Sequence, residues 1–210
     1  ERTGNADALL LTGDIVHDDP GGYAHVQALF GDSPVPVHVV PGNHDDPAAL
    51  QAAFGAPPFR LAGPHACGAW QLAMLDSHAP GRADGELGAT QLAQLDAALQ
   101  ATPDRPWLLV MHHPPVAVGS AWLDAIGLAD AAALWQLVDA HPQVKGLLWG
   151  HAHQAFDDRR GSVRLMGTPS TCLQFLPHSD EFAIDTRGPG WRWLDLHDDG
   201  TLDSAVEWVC

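Results

Sequence analysis

Lysine is nearly missing from this chain: Lys145 is the single example, and ten basic residues in all stand against 26 acidic ones for a formal charge of −16. No basic stripe exists to follow a polyphosphate backbone, so polymeric nucleic acid is excluded as an expected partner. Cysteine is also scarce. Cys67, Cys172 and Cys210 are odd in number and widely spaced, with no C-x-x-C pair, which fits a reducing cytoplasm better than a disulfide framework. No apolar run approaches the ~20 residues of a membrane span. No repeat or low-complexity linker divides the 210 residues, so a single domain over residues 1–210 is expected, and 46% apolar content gives it a substantial core. The sequence opens on Glu1 and reaches apolar Ala8 to Thr12 almost at once, so no targeting signal is legible.

Short apolar runs alternate with Ala- and Leu-rich amphipathic stretches, the pattern of an α/β domain. Strands are expected at Ala8–Thr12, Pro36–Val40, Trp70–Leu75, Trp107–Met111 and Lys145–Trp149, with a β-rich tail at Val163–Gly167, Trp191–Leu196 and Ala205–Val209. Asp46-Pro47 before Ala48–Phe54 has the form of an N-cap with proline at the first helical position. Thr90–Gln100 places Leu92, Leu95 and Leu99 on one helical face, and a helix after Asp130 does the same with Leu134, Leu137 and Val138. These leucines and Trp135 are assigned to core.

Four polar runs each follow an apolar strand directly: Gly13-Asp14, Gly42-Asn43-His44-Asp45, His112-His113-Pro114-Pro115 and Gly150-His151-Ala152-His153. In an α/β sheet such positions emerge together at the ligand-binding edge. Two divalent cations ~3.5–4 Å apart require a bridging carboxylate, several imidazoles and a neutral oxygen donor, with positions left open for water and substrate. Asp14, Asn43, His112, His151 and His153 supply those types. A donor set without thiolate suits Mn²⁺, Fe²⁺, Co²⁺ or Zn²⁺. A small anion held by metals suits an acidic protein, because the cations are the largest local charges.

In order and spacing these motifs resemble the calcineurin-like metallophosphoesterases, whose pattern runs D-x-H, G-D, G-N-H-[DE], H-x-x-P or H-x-P, then G-H-x-H. Pro169–Phe175, Asp180–Asp185, Pro189–Gly200 and Ser120–Asp124 are similar to the bacterial class III cyclic-nucleotide phosphodiesterases within that family. The resemblance implies a four-layer α-β-β-α sandwich of two mixed sheets. It implies that Asp14 bridges two metals, with Mn²⁺ or an Fe/Mn pair favoured. Asn43, His112 and His151 complete the second metal, and His153 binds the first. His44 is then the group beside phosphorus that stabilises the transition state or protonates the departing ribose oxygen. The implied reaction is attack of a metal-bound hydroxide on 3′,5′-cyclic AMP to give 5′-AMP.

The D-x-H motif is the one departure: no Asp-x-His lies within Glu1 to Asp7. As given, the first metal keeps Asp14 and His153, too few protein ligands for tight binding, and the Gly13-Asp14 strand lacks a central neighbour that would cover its backbone. The expectation is a disordered, removed or unrecorded N-terminal segment of roughly 30–50 residues, about a strand with its connections, rather than a one-metal variant. Two other readings stay open: a broader phosphodiesterase or phosphatase, and a catalytically deficient metal- or nucleotide-binding homologue. The substrate is a small phosphodiester, and the chain is a monomer or homodimer.

The remaining polar residues carry weaker expectations. His17 and Asp18 either support the site or lie in a solvated loop. His113 is a candidate to face substrate. His25, His38, His65, His78, His141, His178 and His197 match no motif and are expected at surfaces or turns. Cys172 is expected as a small buried residue, and Trp122 as core before purine stacking. Asp157 to Arg160 are expected to form a charged turn, with Arg159 or Arg160 able to meet phosphate.

Overall fold

The computed structural model describes residues 6–209. In chain order the strands are β1 (Leu9–Leu11), β2 (Val37–Val39), β3 (Phe59–Arg60), β4 (Gly63–Cys67), β5 (Trp70–Met74), β6 (Trp107–Met111), β7 (Val144–Trp149), β8 (Phe156–Arg160), β9 (Val163–Gly167), β10 (Gly190–Leu196) and β11 (Leu202–Trp208). The helices are α1 (Tyr23–Phe30), α2 (Pro47–Phe54), α3 (Gly88–Ala101), α4 (Ala121–Asp124) and α5 (Ala131–Ala140). Asp46 caps α2 as its sequence predicts: the carboxylate accepts from the N–H groups of Ala48 and Ala49, both at 2.9 Å, and Pro47 occupies the first turn.

Strand alternation builds four layers. In β6, Trp107, Leu109 and Met111 point to one side of the six-stranded sheet β4-β5-β6-β7-β9-β8, where they pack with Leu95 and Leu99 of α3 and Leu134 and Val138 of α5. Leu108 and Val110 point to the other side, into a core shared with Leu10, Val40 and the β10–β11 residues Leu194, Leu196 and Leu202. That second layer of strands covers its own outer face with α1 and α2, where Val37 and Val39 meet Tyr23, Leu50 and Phe54. The expected α-β-β-α order is therefore the observed one.

The structure departs from expectation in particular places. The second β layer consists of two ladders: parallel β1-β2-β3, and the antiparallel hairpin β10-β11. Among the described residues β1 pairs with β2 alone. The segment expected to carry D-x-H lies partly outside the described residues. Asp157 to Arg160 belong to the edge strand β8 rather than a turn, because pairing with β9 holds them extended and the edge leaves their charges in water. His38 is 1% exposed, since its place between Val37 and Val39 turns it into the space between the two β layers, against His65. His141 is also buried, tied to Asp96 of α3 at 2.6 Å.

Candidate metal centre

Strands β1, β2, β6 and β7 end at one edge, and the residues following them converge. His112 Nε2 lies 3.3 Å from Asp14 Oδ2, 3.2 Å from Asn43 Oδ1 and 3.1 Å from His151 Nδ1, and His151 Nδ1 is 3.0 Å from Asn43 Oδ1. His112 Nδ1 faces the Thr12 carbonyl at 2.7 Å. A carbonyl can only accept, so the proton sits on Nδ1 and Nε2 presents a lone pair to the centre. A carboxylate oxygen, an amide oxygen and an imidazole lone pair thus face one another with too few protons to share. Ligands about 2.1 Å from an octahedral cation sit about 3.0 Å from their neighbours, the spacing found here, so these residues fit a divalent cation.

The backbone allows this approach only through glycine. A Cβ on Gly42 would lie 2.1 Å from Asp14 Oδ1, and one on Gly13 would lie 2.4 Å from His112 Nδ1, with Gly13 itself at φ +93°. Asp14, His151 and His153 all have positive φ, an arrangement that this tightly determined edge sustains.

Protonation follows the same geometry. Burial raises the Asp14 carboxyl pKa, but the adjoining His112 ring and the His44 N–H outweigh it and hold the group well below the usual carboxylate range. Burial, then the neighbouring imidazoles His112 and His113, hold His151 well below its ordinary value. Burial likewise lowers His153, although the Leu173 carbonyl and Asp14 oppose it. Neutral imidazoles beside an ionised carboxylate are the forms that bind metal. His153 Nδ1 donates to Leu173 O at 2.9 Å, leaving Nε2 as its free donor atom.

His44 sits at the solvent side of this group. Its backbone N–H donates to Asp14 Oδ1 at 3.0 Å, and its Nδ1 lies 3.2 Å from Asp18 Oδ1, while the His17 ring lies against it with centroids 4.1 Å apart. His17 and Asp18 therefore support His44. His113 does not face substrate: it is fully buried, and its Nδ1 bonds Ser77 Oγ at 2.8 Å. Cys172 is exposed rather than buried. Arg159 lies in β8, and Arg160 is committed to Asp139 and to the Trp135 ring, so neither approaches the centre.

One organising residue had no assigned role in the sequence. Asp45, inside the Gly42–Asp45 run, is buried and accepts from Ile15 N–H at 3.1 Å, Gly42 N–H at 2.8 Å and Tyr23 O–H at 3.0 Å. It staples the loop after β1 to the loop after β2, which sets Asp14 against Asn43. Its place at the end of a ligand motif was the available signal.

Comparisons with known proteins agree with this site. Residues 1–155 match the calcineurin-like phosphoesterase family. The chain is 40% identical over 204 residues to the 3′,5′-cyclic adenosine monophosphate phosphodiesterase CpdA of Pseudomonas aeruginosa, covering 97% of this chain and 75% of that protein. It is 42% identical over 206 residues to CpdA of Vibrio vulnificus, covering 96% and 74%. Among solved structures, a dimetal phosphatase from Danio rerio superposes with a TM-score of 0.64 at 17% identity, covering 90% of this chain and 80% of that one, a likeness of fold. The motifs, the four-layer fold and these relatives agree that the chain belongs to the calcineurin-like phosphoesterase family.

Proposed function

We propose that this chain, acting as one catalytic domain over residues 1–210, is a metal-dependent phosphodiesterase that hydrolyses 3′,5′-cyclic AMP to 5′-AMP. The carrying observation is the convergence of Asp14, Asn43, His112 and His151 at cation-ligand spacing beside His44. The substrate is supported by the 40% and 42% identity to two CpdA enzymes named for cyclic AMP. Asp14 would be shared between two divalent cations, with Asn43, His112 and His151 on one and His153 on the other. The nitrogen and oxygen donors suit Mn²⁺ or an Fe/Mn pair, with Zn²⁺ or Co²⁺ also accommodated. When bound, such cations neutralise phosphoryl oxygens and bring the pKa of water toward neutrality. The free thiols Cys67 and Cys172 support a cytoplasmic setting. No helix among the described residues is long and apolar enough to cross a membrane.

The chain's own residues do the rest. With Asp18 accepting from His44 Nδ1–H, the other nitrogen of a protonated His44 would be the one to give its proton to the ribose O3′ as the P–O3′ bond breaks and a hydroxide oxygen bonds phosphorus; neutral His44 then regains a proton from solvent. Buried His113, wedged beside His112 and His151, keeps those rings from turning. Incubation of the chain with Mn²⁺ and 3′,5′-cyclic AMP, read by chromatography, should yield 5′-AMP above an Asp14→Ala background. Binding without product at saturating Mn²⁺ would refute the enzymatic reading. Equal or better turnover of unrelated phosphodiesters or phosphomonoesters would replace the cyclic-nucleotide assignment with a broader one.

A further inference from the structure

The segment between β9 and β10 leaves the metal centre as an irregular hairpin, and it carries half of the large apolar side chains exposed among the described residues: Leu176, Phe182 and Ile184. Its base is fixed. Buried Gln174 accepts from Ser170 N–H and donates to the carbonyls of Ser170 and Gly188, while Phe175 pairs with Ile184 in an antiparallel bridge. Phe175 lies flat on His153, ring centroids 4.3 Å apart and planes 4° apart, and its N–H reaches the His153 carbonyl. Phe182 meets Phe175 edge-on at 5.4 Å and Trp122 at 5.5 Å, and Trp122 is anchored on the main core. The outermost ring of this chain of contacts, Phe182, is 61% exposed.

We propose that Phe182, held by Trp122 and Phe175, is the platform on which the base of the nucleotide stacks while its phosphate lies at Asp14 and His44; the inference rests on the phosphodiesterase reading above. An aromatic ring kept in water yet clamped on two edges loses little freedom on binding, which is what a preorganised stacking surface needs. It stands two ring contacts from the ligand His153, so phosphate and base can be engaged together. The flanking Asp180 and Glu181 are exposed carboxylates. They repel further phosphates and offer acceptors to an exocyclic amino group, which selects a nucleoside monophosphate with an amino-bearing base over polynucleotides or diphosphates. Trp122 backs the platform rather than forming it.

The test uses the full chain as wild type, Phe182→Ser and Phe182→Tyr, with Leu29→Ala as a control that removes an exposed apolar side chain on α1. KM and kcat are measured for 3′,5′-cyclic AMP and for the baseless 1-deoxyribose 3,5-cyclic phosphate. Phe182→Ser is expected to raise KM for cyclic AMP roughly tenfold, the scale of one stacked base, with the baseless substrate unchanged. Phe182→Tyr should restore KM, and Leu29→Ala should match wild type. Independently of turnover, wild type should quench the fluorescence of the 2-aminopurine cyclic nucleotide and Phe182→Ser should not. An unchanged KM and quench, or an equal rise on both substrates, overturns the platform. A shift in sedimentation with KM unchanged also overturns it, assigning the patch to contact between copies. Wild-type inactivity on cyclic AMP rejects the parent reading alone, because the quench still decides whether the base stacks.

Discussion

Replacing Asp18 by asparagine removes the charge behind His44 while keeping the side chain's size, so it isolates what the carboxylate does for the proton donor. The His44 and Asp18 side chains are 33% and 71% exposed and their atoms lie 3.2 Å apart. Solvent screens such a pair, which places it with exposed ion pairs at about 0.2–1 kcal/mol rather than with the buried carboxylates of hydrolase triads. At about 1.4 kcal/mol per decade, Asp18→Asn should lower kcat for cyclic AMP by about 1.5- to 5-fold with KM unchanged. Removing the donor itself is larger: His44→Ala should cost about 10²–10⁴ in kcat while metal content stays at the wild-type level. The discriminating assay is a leaving-group comparison. Bis(4-nitrophenyl) phosphate expels a weakly basic phenolate that needs no proton, whereas cyclic AMP expels a basic alkoxide. Both variants should therefore be nearly normal on the aryl ester and impaired on cyclic AMP, in the same rank order. Equal losses on the two substrates, or parallel loss of metal in His44→Ala, would refute proton donation and leave His44 a structural neighbour of Asp14.

Gly42→Ala should reduce divalent-metal affinity by about 10–100-fold, because its Cβ would stand 2.1 Å from Asp14 Oδ1 and 2.4 Å from the Asp14 nitrogen and force the carboxylate off its ligands. Metal content after dialysis checks this, and retention at the wild-type level would contradict it. For stability against pH, burial, then the charges of His65 and Arg60, lower the His38 pKa from 6.5 to about 4. The unfolded chain therefore binds this proton first: the stabilisation is complete above about pH 6.5 and is lost as pH falls toward 4. Between pH 7 and pH 5 the loss from this group comes to about 2 kcal/mol. Urea titrations should show wild type losing more stability over that interval than His38→Phe, and identical pH slopes would count against it.

The ligand set was legible because metal chemistry restricts residue type and parallel strands deliver their C-terminal ends to one edge. Asp14, Asn43, His112 and His151 could therefore be named from short motifs and prove to be neighbours. Helix α2 was legible from Asp46-Pro47 for an equally local reason. Elements made by pairing were not. Strand β4 contains Gly63 and Pro64 and has weak intrinsic preference for extension; its ladder to β5 makes it a strand. Strand β8 has the charged run Asp157 to Arg160 and forms because β9 offers an edge, with Arg164 and Arg192 both reaching Asp157. The burial of His38 is hidden in the sequence too, because it depends on which face of β2 another sheet covers.

By itself the sequence determined the donors, their order and the family whose chemistry they serve, since each is a property of residue type and local spacing. Only the tertiary structure decided which atom of each donor is free to act. His112 exposes Nε2 because a carbonyl a hundred positions earlier, that of Thr12, takes its other proton, and His153 exposes Nε2 because Leu173 does the same. Asp18 and Asp45 found their partners likewise, in contacts with His44 and Tyr23 that sequence distance hides. Hydrogen bonds act over about 3 Å of space without regard to chain separation, so tautomer, aim and support are settled only when the strands have come together.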